Sequence, residues 1–527
     1  MRALLVTGEV SAPESGGPRA RAVGVVDGRV VAVGDPEEVR ARLPSGAARL
    51  AAPYVAPGFV DSHVHLIWAG QRATRLVLDD VGGLGELLDR LRAHAAANPS
   101  AQWLTADAGF DLDGRLPSAA ELEAAVPGRG LLLDRKGHDA LVNVTALRRA
   151  GIGPGTPDPP GGRIDRDAAG TPTGLLVERP AVDLVRAVLP TVDRDTRVGW
   201  IRAGQAELLR HGITTAVDPA VAVEDLDGYA YAARSGRLRM RVVAMPLGDA
   251  LATDAVLDRA VARTGLVTAD PARLRRGPTK LFLDGGGSLG TALLSSPWPG
   301  TDGYHGNQTL SVDIVHAHCV AAAGAGRGVG VHAVGDAAVD LVLDVLTDVD
   351  RRAPIAGLGF HLIHAYLGPS RAAMDRARRL GVRVSAHPAL QWQVGAGLVQ
   401  RLGAERAGAA NPLRAWLDAG VEVGGGSDGP GLPMSALFGM WQARTRQVRG
   451  WPDPLGAGQA VTAAQALALF TTGAARIAGG PGTGRIRVGD PADLALLDVD
   501  PLTSDVEALR TATVVTTIVG GEVEYRA

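Results

Sequence analysis

Eight short apolar runs, separated by stretches rich in Ala, Leu and Arg, constrain this chain more than any other feature. They are centred on Val60, Ile213, Arg241–Met245, Thr279–Leu283, Gly330–Ala333, Leu358–Ile363, Val382–Ala386 and Val421–Gly425. A strand that is apolar throughout is buried on both faces, and alternation of such strands with helices marks a parallel α/β architecture. Asn411–Gly420 reads as one of those helices, stopped by Gly420.

The two ends of the chain have a different character. Ala3–Val6, Ala22–Val26 and Arg29–Val33 are short β-like runs, and so are Asp493–Asp498 and Thr513–Val519. Gly520-Gly521 is a hairpin signal before Glu522–Tyr525. Residues 1–55 and 482–527 are therefore expected to build a small composite β-sandwich, and residues 56–481 the main domain. Between the first and second core runs the chain makes a long detour. A parallel βα step needs only a few tens of residues, so residues 70–195 read as an insertion with helices and loops of its own. Its Gly153–Gly162 segment is too rich in Pro and Gly for regular structure.

Composition narrows the function. The formal net charge is −2, so neither a nucleic-acid footprint nor a basic membrane patch is expected. Cys319 is the single cysteine, which excludes an intrachain disulfide and a cysteine-based zinc site. No signal peptide is read at the N-terminus, and no apolar run reaches the roughly 18–20 residues of a membrane helix. The expectation is a soluble cytoplasmic enzyme with a small-molecule substrate. Its oligomeric state is open, a homodimer being one possibility. Among 54 basic residues only Lys136 and Lys280 are lysine. Where coding bias replaces lysine by arginine, a surviving lysine is a candidate for chemistry that a guanidinium cannot perform.

Pro57-Gly58-Phe59-Val60-Asp61-Ser62-His63-Val64-His65-Leu66 reads as a strand entered by a Pro-Gly turn. Side chains two apart on a strand share a face, so His63 and His65 can grip one divalent metal. The alternatives are two polar strand-end histidines, or one ligand with one supporting group. This stretch resembles the first-strand motif of the amidohydrolase superfamily. Gly137-His138-Asp139-Ala140-Leu141-Val142-Asn143 and Gly170-Thr171-Pro172-Thr173-Gly174-Leu175-Leu176-Val177-Glu178 resemble its branch of YtcJ-like proteins and N-substituted formamide deformylases. Where that branch has Asp-Gly-His, this chain has Lys136-Gly137-His138. The resemblance implies a (β/α)₈ barrel of TIM type with a companion β domain from both termini. An insertion after the first barrel strand would then cover the active site.

The resemblance extends to the later strands. Lys280 in Lys280-Leu281-Phe282-Leu283-Asp284-Gly285 matches a fourth-strand lysine that can become a carbamate and bridge metals. The alternative is a packed lysine paired with a buried carboxylate such as Asp284. Val331-His332-Ala333 matches the fifth-strand histidine, and His364-Ala365 the sixth, although the branch more often has Glu before that histidine. Ser427-Asp428 matches the eighth-strand aspartate, the general base. Metal ligands are thus expected at His63, His65, Lys280, His332 and His364, with Asp428 catalytic. His138, Asp284 and His387 are expected at the substrate. His316-Ala317-His318 repeats the His-x-His pattern but lies in a helical stretch, where residues two apart diverge.

The implied reaction is hydrolysis of an amide-type C–N bond, in an N-substituted formamide or another N-acyl compound. One or two zinc ions would activate the water. A cyclic-amide hydrolase, a heterocycle deaminase and a non-catalytic small-molecule-binding descendant remain alternatives.

Overall fold

The structure is a computed structural model that describes residues 2–11, 20–109, 115–135, 138–249, 254–266, 269–480 and 482–527. It separates into two compact units. The first comprises Met1–Gly70, Arg197–Gly306 and Leu310–Ala527, and the second comprises Gln71–Thr196 with Asn307–Thr309.

The first unit is a mixed α/β structure built on the eight core strands. They are β1 (Phe59–Asp61), β2 (Ile213–Val221), β3 (Arg241–Pro246) and β4 (Thr279–Phe282), then β5 (Val329–Gly335), β6 (His361–Leu367), β7 (Arg383–Ala386) and β8 (Val423–Gly425). A short strand that sequence reading did not anticipate, Leu274–Arg276, pairs with β3, giving one parallel sheet in the order Leu274–Arg276, β3, β2, β1. The strands β4 to β8 form a second parallel sheet in sequence order. Every residue of β2, β5 and β6 is buried, as strands covered on both faces require.

Two sets of bonds join these sheets. Leu247, just past β3, bridges Lys280 in parallel, and the Gly248 N–H donates to the Lys280 carbonyl. At the other edge the Ser62 N–H donates to the Gly425 carbonyl at 3.0 Å. The main core packs strand side chains such as Phe59, Ile213 and Val331 against helix residues such as Leu226, Val342 and Trp416. Helix ends follow local chemistry: Ser370 caps Arg371–Leu380 by accepting from the Ala373 N–H, and Gly381 closes it at φ +67°.

Both termini join one continuous seven-stranded sheet, ordered Glu522–Arg526, Val514–Val519, Leu494–Leu497, Ala48–Pro57, Ala3–Val10, Ala22–Val26, Arg29–Gly34. Residues from both ends of this sheet, Val25 and Val30 with Leu494 and Ile518, share one buried core. Ala48–Pro57 supplies the continuity: it pairs parallel with Ala3–Val10 and antiparallel with Leu494–Leu497, so the halves share a strand.

Beside its helices and loops, the second unit holds a six-stranded sheet that sequence reading did not name, ordered Arg163–Arg166, Pro172–Val177, Asp139–Val142, Gly130–Arg135, Trp103–Asp107, Leu76–Val77. Leu87, Leu91, Leu122, Leu131 and Leu133 are fully buried in its core. In the first unit, β6 starts at His361 and runs on to Leu367, later than the expected Leu358–Ile363. Gly357, at φ +82°, sits in a turn just before it, which the Leu358 N–H closes on the Ile355 carbonyl.

Candidate metal centre

β1 ends at Asp61, so His63 and His65 stand in the turn beyond it rather than on the strand itself. Four backbone bonds fix that turn. The Val64 N–H donates to the Val217 carbonyl on β2, and the His65 N–H to Gly429 beyond β8. The Asp428 N–H donates to the His63 carbonyl at 2.8 Å, and the fourth is the Ser62–Gly425 bond. Oδ1 of Asp61 accepts from the N–H groups of His63 and Ser427, each at 3.0 Å. Position 426 has to be glycine, because a Cβ there would lie 2.9 Å from both the Cβ and the backbone N of His63.

The imidazoles and one carboxylate converge above this turn. His63 Nε2 is 3.3 Å from Asp428 Oδ1, and His65 Nε2 is 3.7 Å from the same oxygen. The His364 ring centroid is 5.4 Å from that of His63, 4.6 Å from His332 and 4.5 Å from His387. Ligand atoms of His63, His364 and Asp428 all lie within 4.8 Å of one another. His364 and Asp428 adopt left-handed backbone, at φ +75° and +56°. Such strain in non-glycine residues persists where surrounding structure over-determines it, commonly at functional sites.

Protonation is suppressed at His63, His65, His364 and His387. Burial holds His63, His65 and His364 well below the ordinary histidine range, helped by neighbouring positive charge. Burial lowers His387 to about 4. The Nδ1 atoms of His63 and His364 and both ring nitrogens of His387 have no hydrogen-bond partner among the described residues. Buried, neutral imidazoles beside a carboxylate are the donor set that a divalent cation such as zinc binds, so these residues fit a metal.

Lys280 is rooted one layer lower. It pairs in register with Gly330, and Gly330 with His361, whereas His332 pairs with Phe282 and Ile363. Its length carries Nζ to 4.4 Å from the Phe282 ring centroid, and the Phe282 and His332 rings lie 5.1 Å apart. Its charge contributes to the lowered histidine values at His63, His65, His361, His364 and His387. The fully buried Lys280 thus stands close under the cluster.

Asp284 was expected at the substrate. Its oxygens instead accept from the N–H groups of Leu293, Val334 and Gly335, with His332 Nε2 at 3.6 Å. This carboxylate holds the ends of β4 and β5 together. His387 does sit at the cluster, its ring 4.8 Å from that of His63. His138 belongs to the second unit, where its Nδ1 is 3.0 Å from Glu178 Oε2. Lys136 lies outside the described residues. His316 bonds Asp348 and His318 bonds the Asp249 carbonyl, both away from the cluster as their helical setting implied.

Sequence reasoning missed three side chains. Asp61 braces the His-x-His turn, and burial raises its carboxyl to about 7 against its hydrogen bonds. Trp68 stacks on His65 with centroids 3.9 Å apart. Tyr366 accepts from the Gly287 N–H, and burial, with Asp284 and Asp428 nearby, pushes its phenol up. A one-turn offset from His65 was the available signal for Trp68.

Residues 53–525 match the sequence profile of the amidohydrolase family. This chain belongs to that family. It is an amidohydrolase, a hydrolase of carbon–nitrogen bonds. It is 30% identical over 542 residues to the N-substituted formamide deformylase of Arthrobacter pascens, covering 99% of this chain and 98% of that protein. It is 28% identical over 530 residues to YtcJ of Bacillus subtilis, with 97% and 96% covered. Among solved structures, an uncharacterized metal-dependent hydrolase of Pyrococcus horikoshii is similar at TM-score 0.77 and 25% identity, covering 96% of this chain and 99% of that one.

Proposed function

We propose that this amidohydrolase is metal-dependent and cleaves N-acyl compounds, with N-substituted formamides as the first class to test. The observation that carries the reading is the convergence of His63, His364 and Asp428 within 4.8 Å, with both histidines held neutral. The identity to a formamide deformylase over nearly the whole chain supports the substrate class. We further infer that the eight core strands close as a (β/α)₈ barrel; the Leu247–Lys280 bridge and the Ser62–Gly425 bond support closure.

His63, His65, His332, His364 and Asp428 would hold one or two zinc ions, with Lys280 contributing as a carbamate. When bound, the metal supplies Lewis acidity toward the substrate carbonyl and acidifies water. The remaining work falls to the chain. Asp428 takes the proton of the attacking water and returns it to the departing nitrogen, as a carboxylate in reach of both can. Its position is set by the Asp428–His63 backbone bond and by Asp61 through Ser427. Neutral His387 can donate one hydrogen bond to the carbonyl oxygen. Trp68, stacked on His65, shields one side of the site from water.

The test is metal analysis of the purified protein with an assay of formate and amine release from N-alkylformamides. Stoichiometric release that chelation abolishes and zinc restores is expected. A metal-loaded protein that releases neither product from formamides or longer N-acyl amines would refute the reading.

A further inference from the structure

Helix Pro388–Leu402 starts at His387, its N-cap residue. Gln391 lies in the first turn of that helix, four residues past His387, and residues four apart on a helix share a face, so Gln391 and Gly395 lie in one line. His387 stands in the histidine cluster, between His63 and His364. Gly395 is packed against the protein, since a Cβ at 395 would lie 2.8 Å from both methyl groups of Val448. Gln391 lies along the helix between the residue at the cluster and the residue at the core. It is 1% exposed, and neither its Oε1 nor its Nε2 has a hydrogen-bond partner among the described residues. Burying a carboxamide without partners is costly. The neighbouring His387 imidazole is in the same condition at both nitrogens.

We propose that Gln391 is a specificity residue that reads the N–H of a secondary amide substrate. A carboxamide carries one acceptor oxygen and two donor hydrogens. Its Oε1 accepts from the substrate N–H. An ester of the same acyl group lacks that N–H and leaves Oε1 unmet. A tertiary amide lacks it as well. The enzyme would thus favour N-monosubstituted amides. The inference rests on the reading of the site as an N-acyl hydrolase.

The experiment compares wild type with Gln391→Met, which keeps length and removes both polar atoms. Zinc-loaded protein is assayed on an N-alkylformamide and on the matching alkyl formate, and thermal unfolding of both proteins is recorded. Sites built to hydrogen-bond a substrate group discriminate strongly against analogues lacking it. The amide-to-ester ratio of kcat/KM is expected to fall at least about tenfold in the variant, with the loss chiefly in amide KM, while Tm holds or rises. An unchanged ratio overturns the inference alone, and a lower Tm with that unchanged ratio assigns Gln391 to the fold. Wild type that hydrolyses neither compound overturns the N-acyl hydrolase reading and this inference with it.

Discussion

His63 and Asp428 are joined twice: the Asp428 N–H donates to the His63 carbonyl at 2.8 Å, and His63 Nε2 faces Asp428 Oδ1 at 3.3 Å. The backbone bond fixes the register of the loop after β8 against the turn after β1. The side-chain approach then follows from that register. A candidate ligand and the candidate general base, far apart in sequence, are held at one distance by main chain rather than by flexible side chains.

Asp428→Asn should test the chemistry with little change in shape. The amide keeps the size of the carboxylate and the backbone bond to His63, but it cannot take a proton from water. Turnover is expected to fall by several orders of magnitude with the fold intact, as loss of a general base does. Steady-state kinetics and circular dichroism check it. Near-normal turnover would remove Asp428 from the mechanism.

Asp61 should matter through the two N–H groups it accepts. Asp61→Ala leaves the His63 and Ser427 N–H groups buried and unmet, which costs about 1–3 kcal/mol for each. Zinc affinity should weaken with it. Asp61→Asn keeps an acceptor oxygen and should keep most of both. Urea unfolding and zinc titration of the two variants settle the matter; equal zinc affinity in wild type and Asp61→Ala would contradict a bracing role.

The core strands were legible because strands buried on both faces write themselves as apolar runs, as Arg241–Pro246 does after its first residue. His63-x-His65 was legible because its spacing is local. The continuation of β6 was hidden: His364 and Ala365 turn left-handed and the strand still runs on to Leu367, which no residue type announces. The insertion's sheet was hidden because strands such as Trp103–Asp107 and Arg163–Arg166 mix polar and apolar residues among Gly and Pro. Asp284 was expected at the substrate. Only the fold reveals three backbone donors already on its oxygens. Gln391 was silent for the same reason, since lacking a partner is a tertiary property.

His361 should make stability depend on acid. Burial lowers its pKa from 6.5 to about 4, so the folded state holds it neutral where the unfolded chain protonates it. Its contribution is complete above pH 6.5 and is lost as pH falls from there toward 4. Linkage puts the loss between pH 7.5 and 5.5 at about 1 kcal/mol. His361→Asn keeps an N–H for the Gly359 carbonyl, which His361 Nδ1 meets at 3.0 Å. The variant should be less stable at both pH values yet lose about 1 kcal/mol less between them. Urea unfolding of metal-free protein at the two pH values measures this.

His316→Ala with His318→Ala should leave metal content unchanged. His316 is committed to Asp348, which also pairs with Arg351 and Arg352, and His318 to the Asp249 carbonyl. Stability should fall by about 2 kcal/mol from lost bonds and packing. Zinc analysis of the double variant decides; loss of metal would relocate the site.

Lys280 carries the sharpest prediction. It is buried beneath five histidines whose protonation its charge opposes. A second positive charge, a metal, placed above an ammonium there would be repelled in a medium that screens poorly. A neutral lysine that adds carbon dioxide at its nitrogen and gives up one proton to water becomes an anionic carbamate, which reverses the sign and offers oxygen to the metal. Arginine can do neither, because its guanidinium stays charged and does not form a carbamate. Lys280→Arg is expected to lose at least one metal and nearly all activity. Lys280→Ala should fail as well, but it opens space beside Phe282 that a short carboxylate or bicarbonate can fill with partial recovery. Metal stoichiometry and turnover of both variants, with and without added bicarbonate, provide the measurement. If Lys280→Arg keeps its full metal content and remains active, Lys280 is a packed lysine and the carbamate must be abandoned.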